Sequence, residues 1–295
     1  MHHIYKWNHW VARTISPEAP FQDFEIARWM WTRIAERFPE AVSVVLMPNH
    51  IHLLLPKEGN SHSNVPTNVP NTFGNLLGSL TKRMKKQALW QPIPAPTLIS
   101  DRMKLRRQIR YLALNPCRNN LCSDPVAWYW STYREILGAS VEGLKRREQI
   151  IKILGESERN FLVRFHAYVS GDPSVEVRGT PLPKSSEPRV LPFYSIGAIL
   201  EASAAAFRIL PTEIQTNSLC RSLFIHLAYR YGWRKPTLLG QICGLSKTGV
   251  HRAFTQTSPL GIEAAELCLG DSRLIRHPGQ PQSELAGFKV LRPMT

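Results

Sequence analysis

Four residues of this chain are best suited to chemistry: His50 and His52, one residue apart, and Tyr111 and Asn115, four apart. The run from Ala41 to Leu55 is apolar on both sides of Pro48-Asn49, which predicts two strands and a turn, and residues two apart on a strand share a face. Two imidazoles so placed can give two nitrogen ligands to one divalent cation and leave positions open for phosphate oxygens. Equally, they can be hydrogen-bonded histidines in or beside a core. Tyr111 and Asn115 share one face of a predicted helix. A tyrosine hydroxyl can attack phosphorus, and a side-chain amide can give the cation a third, neutral ligand. The plainer alternative is a tyrosine packed by its ring and an asparagine closing a helix before Pro116. A free phenol titrates near about 10, so at neutral pH such a nucleophile needs help.

Helices and strands must carry these residues. A weak alternation over residues 4–12 predicts a strand, and apolar residues at helical spacing over 21–38 predict an amphipathic helix. Further helices are expected over about 72–89 and from a Ser100-Asp101 cap to Asn115, where Pro116 ends the second. Helical periodicity returns over 141–169, and again over 196–207, 214–231 and 237–256. Residues 59–71 are rich in Asn, Ser and Pro and read as a loop, while 171–192 are dense in Gly, Pro, Ser and charge and read as a linker.

The residues around the histidines and the tyrosine resemble a known family. Met47 to Leu55 resembles the His-hydrophobic-His (HUH) strand of single-tyrosine transposases of the IS200-like superfamily. Tyr111 to Leu121 looks like the tyrosine helix of the REP-associated branch. Trp128-Tyr129-Trp130-Ser131-Thr132-Tyr133 is similar to that family's Trp-Ser-Ser-Tyr element, and Leu89-Trp90-Gln91 matches a further short signature. These motifs are collinear over residues 5–138. After Gln91 the chain departs from the family by entering Pro92-Ile93-Pro94-Ala95-Pro96.

The resemblance implies an α/β (α+β) chain with a ferredoxin-like antiparallel sheet and flanking helices, the HUH nuclease fold. It implies Mg²⁺ or Mn²⁺ on His50, His52 and Asn115, with Tyr111 as the catalytic nucleophile. The activity expected is transposition by a metal-dependent single-stranded DNA endonuclease and strand transferase. It would cut at hairpin, REP-like sequences and leave a 5′-phosphotyrosine. Two alternatives remain: a domesticated, non-cleaving, sequence-specific DNA-binding regulator, and a rolling-circle initiator with the same histidine and tyrosine logic. Dimers are common in the wider family, and no residue here decides whether a homodimer forms.

Charge and composition agree with a polyanionic partner. The 295 residues carry 37 Lys+Arg against 22 Asp+Glu, a formal net charge of +15, while 43% hydrophobic residues suit a folded chain. Lys82, Arg83, Lys85, Lys86, Arg106, Arg107, Arg110 and Arg118 bracket Tyr111, and Asp101 is the sole acid from Lys82 to Arg118. They read either as a phosphate-binding floor or as a solvated face. Trp90, Trp128, Tyr129, Trp130 and Tyr133 could stack unpaired bases or fill a core. Five scattered cysteines without a Cys-x-x-Cys pair fit neither a disulfide framework nor a zinc ribbon. With no long apolar run and no signal-like start, a cytoplasmic, nucleoid-associated protein without membrane partners is expected.

Toward the C-terminus, residues 236–253 have helix-turn-helix spacing, with Gly240 at the crossing, Gly244 ending the first helix and Ser246 capping the second. Leu239, Cys243, Leu245, Val250 and Ala253 would face inward, and Lys247, Thr248, His251 and Arg252 outward as DNA contacts. With the preceding helix, this looks like the DnaA-type helical DNA-binding domain appended to some of these transposases. The expected organisation is a catalytic domain over 1–140, a helical extension over 141–170, the linker over 171–192, the helical DNA-binding domain over 193–260 and a tail over 261–295.

Overall fold

The paired strands on either side of Pro48-Asn49 form the centre of a sheet. A computed structural model describes residues 6–15, 18–57, 68–141, 144–154, 161–171, 194–255 and 259–275. Strand β2 (Ser43–Met47) and strand β3 (His50–Pro56) make a hairpin in which Met47 pairs with His50. Phe21 N–H donates to Pro48 O and Thr14 N–H to Asn49 O, so both carbonyls of the turn are used. Strand β1 (Trp7–Arg13) runs antiparallel along β3, placing Val11 opposite His52 and Arg13 opposite His50. A three-residue strand, β4 (Thr97–Ile99), completes the order β2-β3-β1-β4. Sequence patterning did not disclose β4, because three residues after a proline-rich run carry too little alternation to register.

Helix α1 (Phe24–Arg37) follows β1 and helix α2 (Val69–Arg83) follows β3, giving β-α-β-β-α-β. Together with the strand order, this is the ferredoxin-like arrangement. The β1, β2 and β3 residues Trp10, Ala12, Val44, Leu46, Ile51, Leu53 and Leu55 are buried with Met30, Ile34, Phe73, Leu77 and Leu80 of the two helices. The alternate residues of the same strands, among them His50 and His52, point to the opposite face.

Helix ends are set by particular groups. Asp23 accepts from Ile26 N–H at the start of α1, and Asn68 from Asn71 N–H at the start of α2. Helix α2 ends at Arg83 rather than near 89, because Lys85 turns left-handed (φ 53°) and Lys86 N–H donates back to Thr81 O. Leu89 is thereby freed to enter the core.

Helix α3 (Arg102–Arg118), capped by Asp101, corrects a second expected end. Pro116 lies inside it, since a proline in the last turn removes just one donor and the ladder resumes at Asn119 N–H to Asn115 O. The true stop is Asn120, left-handed at φ 57°, with its N–H on Cys117 O and the Leu121 N–H on Pro116 O.

The segment after α3 closes an open sheet edge. Leu46 N–H donates to Trp130 O, Trp128 Nε1–H to Leu46 O and Val44 N–H to Thr132 Oγ1, so the Trp-Ser-Thr-Tyr element occupies the outer side of β2. Leu89-Trp90-Gln91 braces the end of β1 in the same way, through Ile15 N–H to Leu89 O and Gln91 N–H to Arg13 O.

The chain divides into two compact units, Met1–Tyr133 with Glu148–Gly179, and Arg134–Arg147 with Thr180–Thr295. Helix α4 (Thr132–Ile136) spans the first boundary and helix α5 (Leu144–Leu154) the second, while helix α6 (Phe161–Ser170) belongs to the first unit. A single 141–170 extension is therefore replaced by a chain that enters the second unit and returns. Residues 58–67 of the expected loop, and the expected linker from residue 172 on, lie outside the described residues.

The second unit is helical: α7 (Ile196–Ala206), α8 (Ser218–Arg230), α9 (Pro236–Cys243), α10 (Lys247–Phe254) and α11 (Pro259–Gly270). The helix expected over 214–231 is divided, with a short 3-10 turn at Pro211–Gln215 and α8 beginning after the Asn217 cap, whose side chain accepts from Cys220 N–H. The tail expected from 261 instead begins within α11, whose Ala264, Ala265 and Cys268 are buried, and includes the buried Leu274. Its remainder from 276 lies outside the described residues.

Helices α9 and α10 meet at a close backbone contact. A Cβ added at Gly240 would lie 2.4 Å from Leu245 O, and Gly244 takes a left-handed φ of 64°. Gly240→Ala is therefore expected to destabilise this unit by about 1–3 kcal/mol, read as a lower thermal midpoint by circular dichroism. An unchanged midpoint would show that the two helices separate freely.

Candidate active site

The face of the sheet turned away from α1 and α2 carries Trp7, His9, Val11 and Arg13 from β1, and His50, His52 and Leu54 from β3. Helix α3 brings Gln108, Tyr111 and Asn115 to that face. The Asn115 amide meets His52 Nε2, and the Tyr111 ring lies edge-on to His52 with centroids 6.3 Å apart. His50 and His52 have ring centroids 4.9 Å apart at an interplanar angle of 83°. Four residues from two distant stretches of sequence thus converge. His50, His52 and Asn115 are buried, whereas Tyr111 is 41% exposed and forms the rim.

Sequence reasoning missed His9. Its Nε2 lies 3.0 Å from His52 Nδ1, its Nδ1 lies 3.2 Å from Gln108 Nε2, and its ring stacks on His52 at 5.2 Å between centroids. Val11 is the direct partner of His52, so His9, two residues before it, is the diagonal neighbour on the same pleat. The signal was the Trp7-His9-Val11 alternation, which gains meaning once β1 is known to lie against β3. Arg13, directly opposite His50, was also missed.

All three rings are held neutral. Burial lowers His9 to about 4. Burial, then the Arg13 charge, lowers His50 to about 4. Burial, followed by His50, His9 and Arg13, lowers His52 to about 2. Neutral imidazoles with spoken-for Nδ1 atoms are what a hard-to-intermediate cation needs. His50 Nδ1 is 2.8 Å from Asn49 Oδ1 and His52 Nδ1 faces His9, so Nε2 is the nitrogen each ring could offer a ligand, although at His52 the Asn115 side-chain nitrogen takes that place in this structure. Among the described residues no group of three or more His, Cys, Asp or Glu could hold a metal ion. The donor set here is instead two imidazoles and an amide whose nitrogen faces His52 and whose oxygen accepts from Asn119, so Asn115 would have to turn to serve as a third ligand. With that oxygen turned inward the set could hold a weakly bound divalent cation and leave positions open, Mn²⁺ more readily than the oxygen-preferring Mg²⁺.

The basic residues are more dispersed in role than their sequence run suggests. Arg118 stands 5.3 Å above the Tyr111 ring. Arg106 and Arg110 both lie over the Tyr168 ring of α6, at 4.5 and 4.6 Å, and Arg107 is exposed. At the end of α2, Arg83 stacks on Trp29 at 5.5 Å and Lys86 pairs with Glu18 at 2.7 Å, while Lys82 and Lys85 are exposed. Trp128, Tyr129, Trp130 and Tyr133 are buried, which removes them as base-stacking surfaces: the Trp128 N–H is spent on Leu46 O, and Tyr129 and Trp130 pack under Phe24. Trp90 is half-buried, with its N–H on Leu77 O.

In the second unit Leu239, Cys243, Val250 and Ala253 are buried and Leu245 is half-buried. Lys247, Thr248, His251 and Arg252 are exposed on α10, which Ser246 caps through Gly249 N–H.

No protein-family model and no curated protein matches the chain. Among solved structures it is similar to one described as a REP-associated tyrosine transposase bound to a REP hairpin, at 14% identity and a TM-score of 0.37 over 64% of this chain and 93% of that one. A likeness at that level carries no weight for function, which rests on the residues. No helix among the described residues is long and apolar enough to cross a membrane.

The neutral rings tie stability to pH. Each binds a proton near 6.5 when unfolded and near 4 or below when folded. Between those values the unfolded chain binds more protons, so the stability present above about pH 6.5 falls as pH drops, at up to about 1.4 kcal/mol per pH unit and ring. The metal-free protein is expected to melt lower at about pH 5 than at about pH 7.5. A flat profile would show that the rings accept protons without leaving the fold.

Proposed function

We propose that the first unit is a metal-dependent single-stranded DNA nuclease and strand transferase that cuts through Tyr111. The observation that carries this reading is the convergence of His50, His52 and Asn115 with the exposed Tyr111, whose ring stands edge-on to His52. The family that the sequence motifs resemble works in this way. His50, His52 and Asn115 would hold Mg²⁺ or Mn²⁺, which when bound polarises the scissile phosphate and offsets the charge building on it.

In the proposed step Tyr111 Oη attacks phosphorus and the bond to the 3′ oxygen breaks. The phenol proton passes to water at the exposed rim, and the departing oxygen takes one up as a 3′ hydroxyl. The 5′ phosphate stays on tyrosine, so reversal by a 3′ hydroxyl rejoins strands without a nucleotide cofactor. Arg118 beside Tyr111 and Arg13 beside His50 put positive charge where the phosphate must approach. Lys82, Lys85 and Arg107 are exposed for further backbone contacts. The exposed Lys247, Thr248, His251 and Arg252 support α10 as a second DNA-contacting element, in the manner of a recognition helix.

Short labelled single-stranded hairpins incubated with protein and Mg²⁺ test the reading. The wild type is expected to yield a covalent, slower-migrating band. Tyr111→Phe is expected to abolish that band with DNA affinity kept, and His50→Ala to abolish metal-dependent cleavage. An adduct that survives Tyr111→Phe would sink the nucleophile assignment. Tight, sequence-specific binding by the wild type without cleavage in either Mg²⁺ or Mn²⁺ would favour the regulator instead.

A further inference from the structure

The three-membered chain Gln108–His9–His52 raises a question of proton placement. A neutral imidazole has one N–H, so the line Gln108 Nε2/Oε1, His9 Nδ1 and Nε2, His52 Nδ1 and Nε2 has two consistent polarities. In one, the Gln108 amide N–H donates to His9 Nδ1, His9 Nε2–H donates to His52 Nδ1, and the His52 proton sits on Nε2, facing Asn115. In the other, the Gln108 amide is turned over so that its oxygen faces His9: His52 Nδ1–H donates to His9 Nε2, His9 Nδ1–H donates to that oxygen, and the His52 Nε2 lone pair faces the Asn115 side-chain nitrogen beside it. The second polarity alone lets His52 bind a cation. His50 needs no such relay, since Asn49 Oδ1, 2.8 Å away, can only accept and so draws the proton to Nδ1.

We propose that His9, oriented by Gln108, is a positioning residue that accepts the Nδ1 proton of His52 and so presents the His52 Nε2 lone pair to a divalent cation. The inference rests on the metal-site reading above. His9 touches neither the ion nor DNA in this role. It acts through the 3.0 Å contact and through stacking, which fix both the tautomer and the plane of the His52 ring. A ring that acts as relay, unlike an acceptor carbonyl, ties the tautomer of His52 to a side chain of α3 that His52 does not itself touch. Metal affinity then depends on Gln108, a residue of the tyrosine helix that is no ligand.

Binding of Mn²⁺ alone to the full, DNA-free chain, followed by the electron paramagnetic resonance of the free ion, tests this without reference to cleavage. His9→Phe keeps a planar ring and removes the acceptor; it is expected to weaken Mn²⁺ binding by about 10–100-fold. His9→Gln, whose side-chain oxygen can occupy the place of Nε2, is expected to restore most of that loss. Gln108→Leu, at a half-buried position, is expected to weaken binding in the same direction. Long-range proton–nitrogen spectra in Mg²⁺ are expected to place the His52 proton on Nδ1 in the wild type and in His9→Gln. Wild-type affinity in His9→Phe, or equal losses in His9→Phe and His9→Gln, would overturn the role of His9. If His50→Ala still loses Mn²⁺ while His9→Phe keeps it, the metal site stands without the relay. A wild type that binds no Mn²⁺ would overturn both.

Discussion

Burying imidazoles side by side is tolerable only when each ring stays uncharged and finds a partner for its polar edges. That constraint organises the first unit. His9, His50 and His52 are pressed together on one sheet face, and burial is the first cause of the lowered proton affinity of each, ahead of the neighbouring charges at His50 and His52. Asn49 and Gln108 are therefore not incidental neighbours, since they take up ring nitrogens that would otherwise be buried without a partner. Asn119, donating to both the backbone and the side-chain oxygen of Asn115, extends the same network to the end of α3.

The backbone must hold the rings to this arrangement. The β1–β3 register places Val11 opposite His52, and a slip of one residue would turn the imidazoles into the apolar core under α1 and α2. That register is defended at the Pro48-Asn49 turn, along Leu89-Trp90-Gln91, and by the 128–132 segment on the outer side of β2. Motifs that lie far from the histidines in sequence serve them by fixing the sheet on which they stand.

The sequence exposes residues that share one element and hides those that meet across elements. His50 and His52 are two apart on a strand and Tyr111 and Asn115 four apart on a helix, so each pair was legible from periodicity. Their meeting was legible only through the family resemblance. His9 is a lone histidine in a weakly alternating strand, and nothing in its neighbourhood marks it until the strand order is known. Pro116 misled because its usual effect belongs to helix interiors, while the stop came from Asn120, a non-glycine in left-handed conformation. The aromatic cluster at 128–133 offered rings for stacking bases yet is buried, its partners lying on β2, α1 and α6.

The path of the chain between the units has a consequence of another kind. The first unit owns 1–133 and 148–179, and the second owns 134–147 and 180–295, so the two interleave along the polypeptide. No single cut separates them with both intact. Cleaving at 133 strips α5 and α6 from the first unit, and cleaving at 179 strips 134–147, with the buried Glu135 that pairs with Arg208, from the second. A fragment that holds the whole first unit must run through 179, and so necessarily carries 134–147 of the second with it.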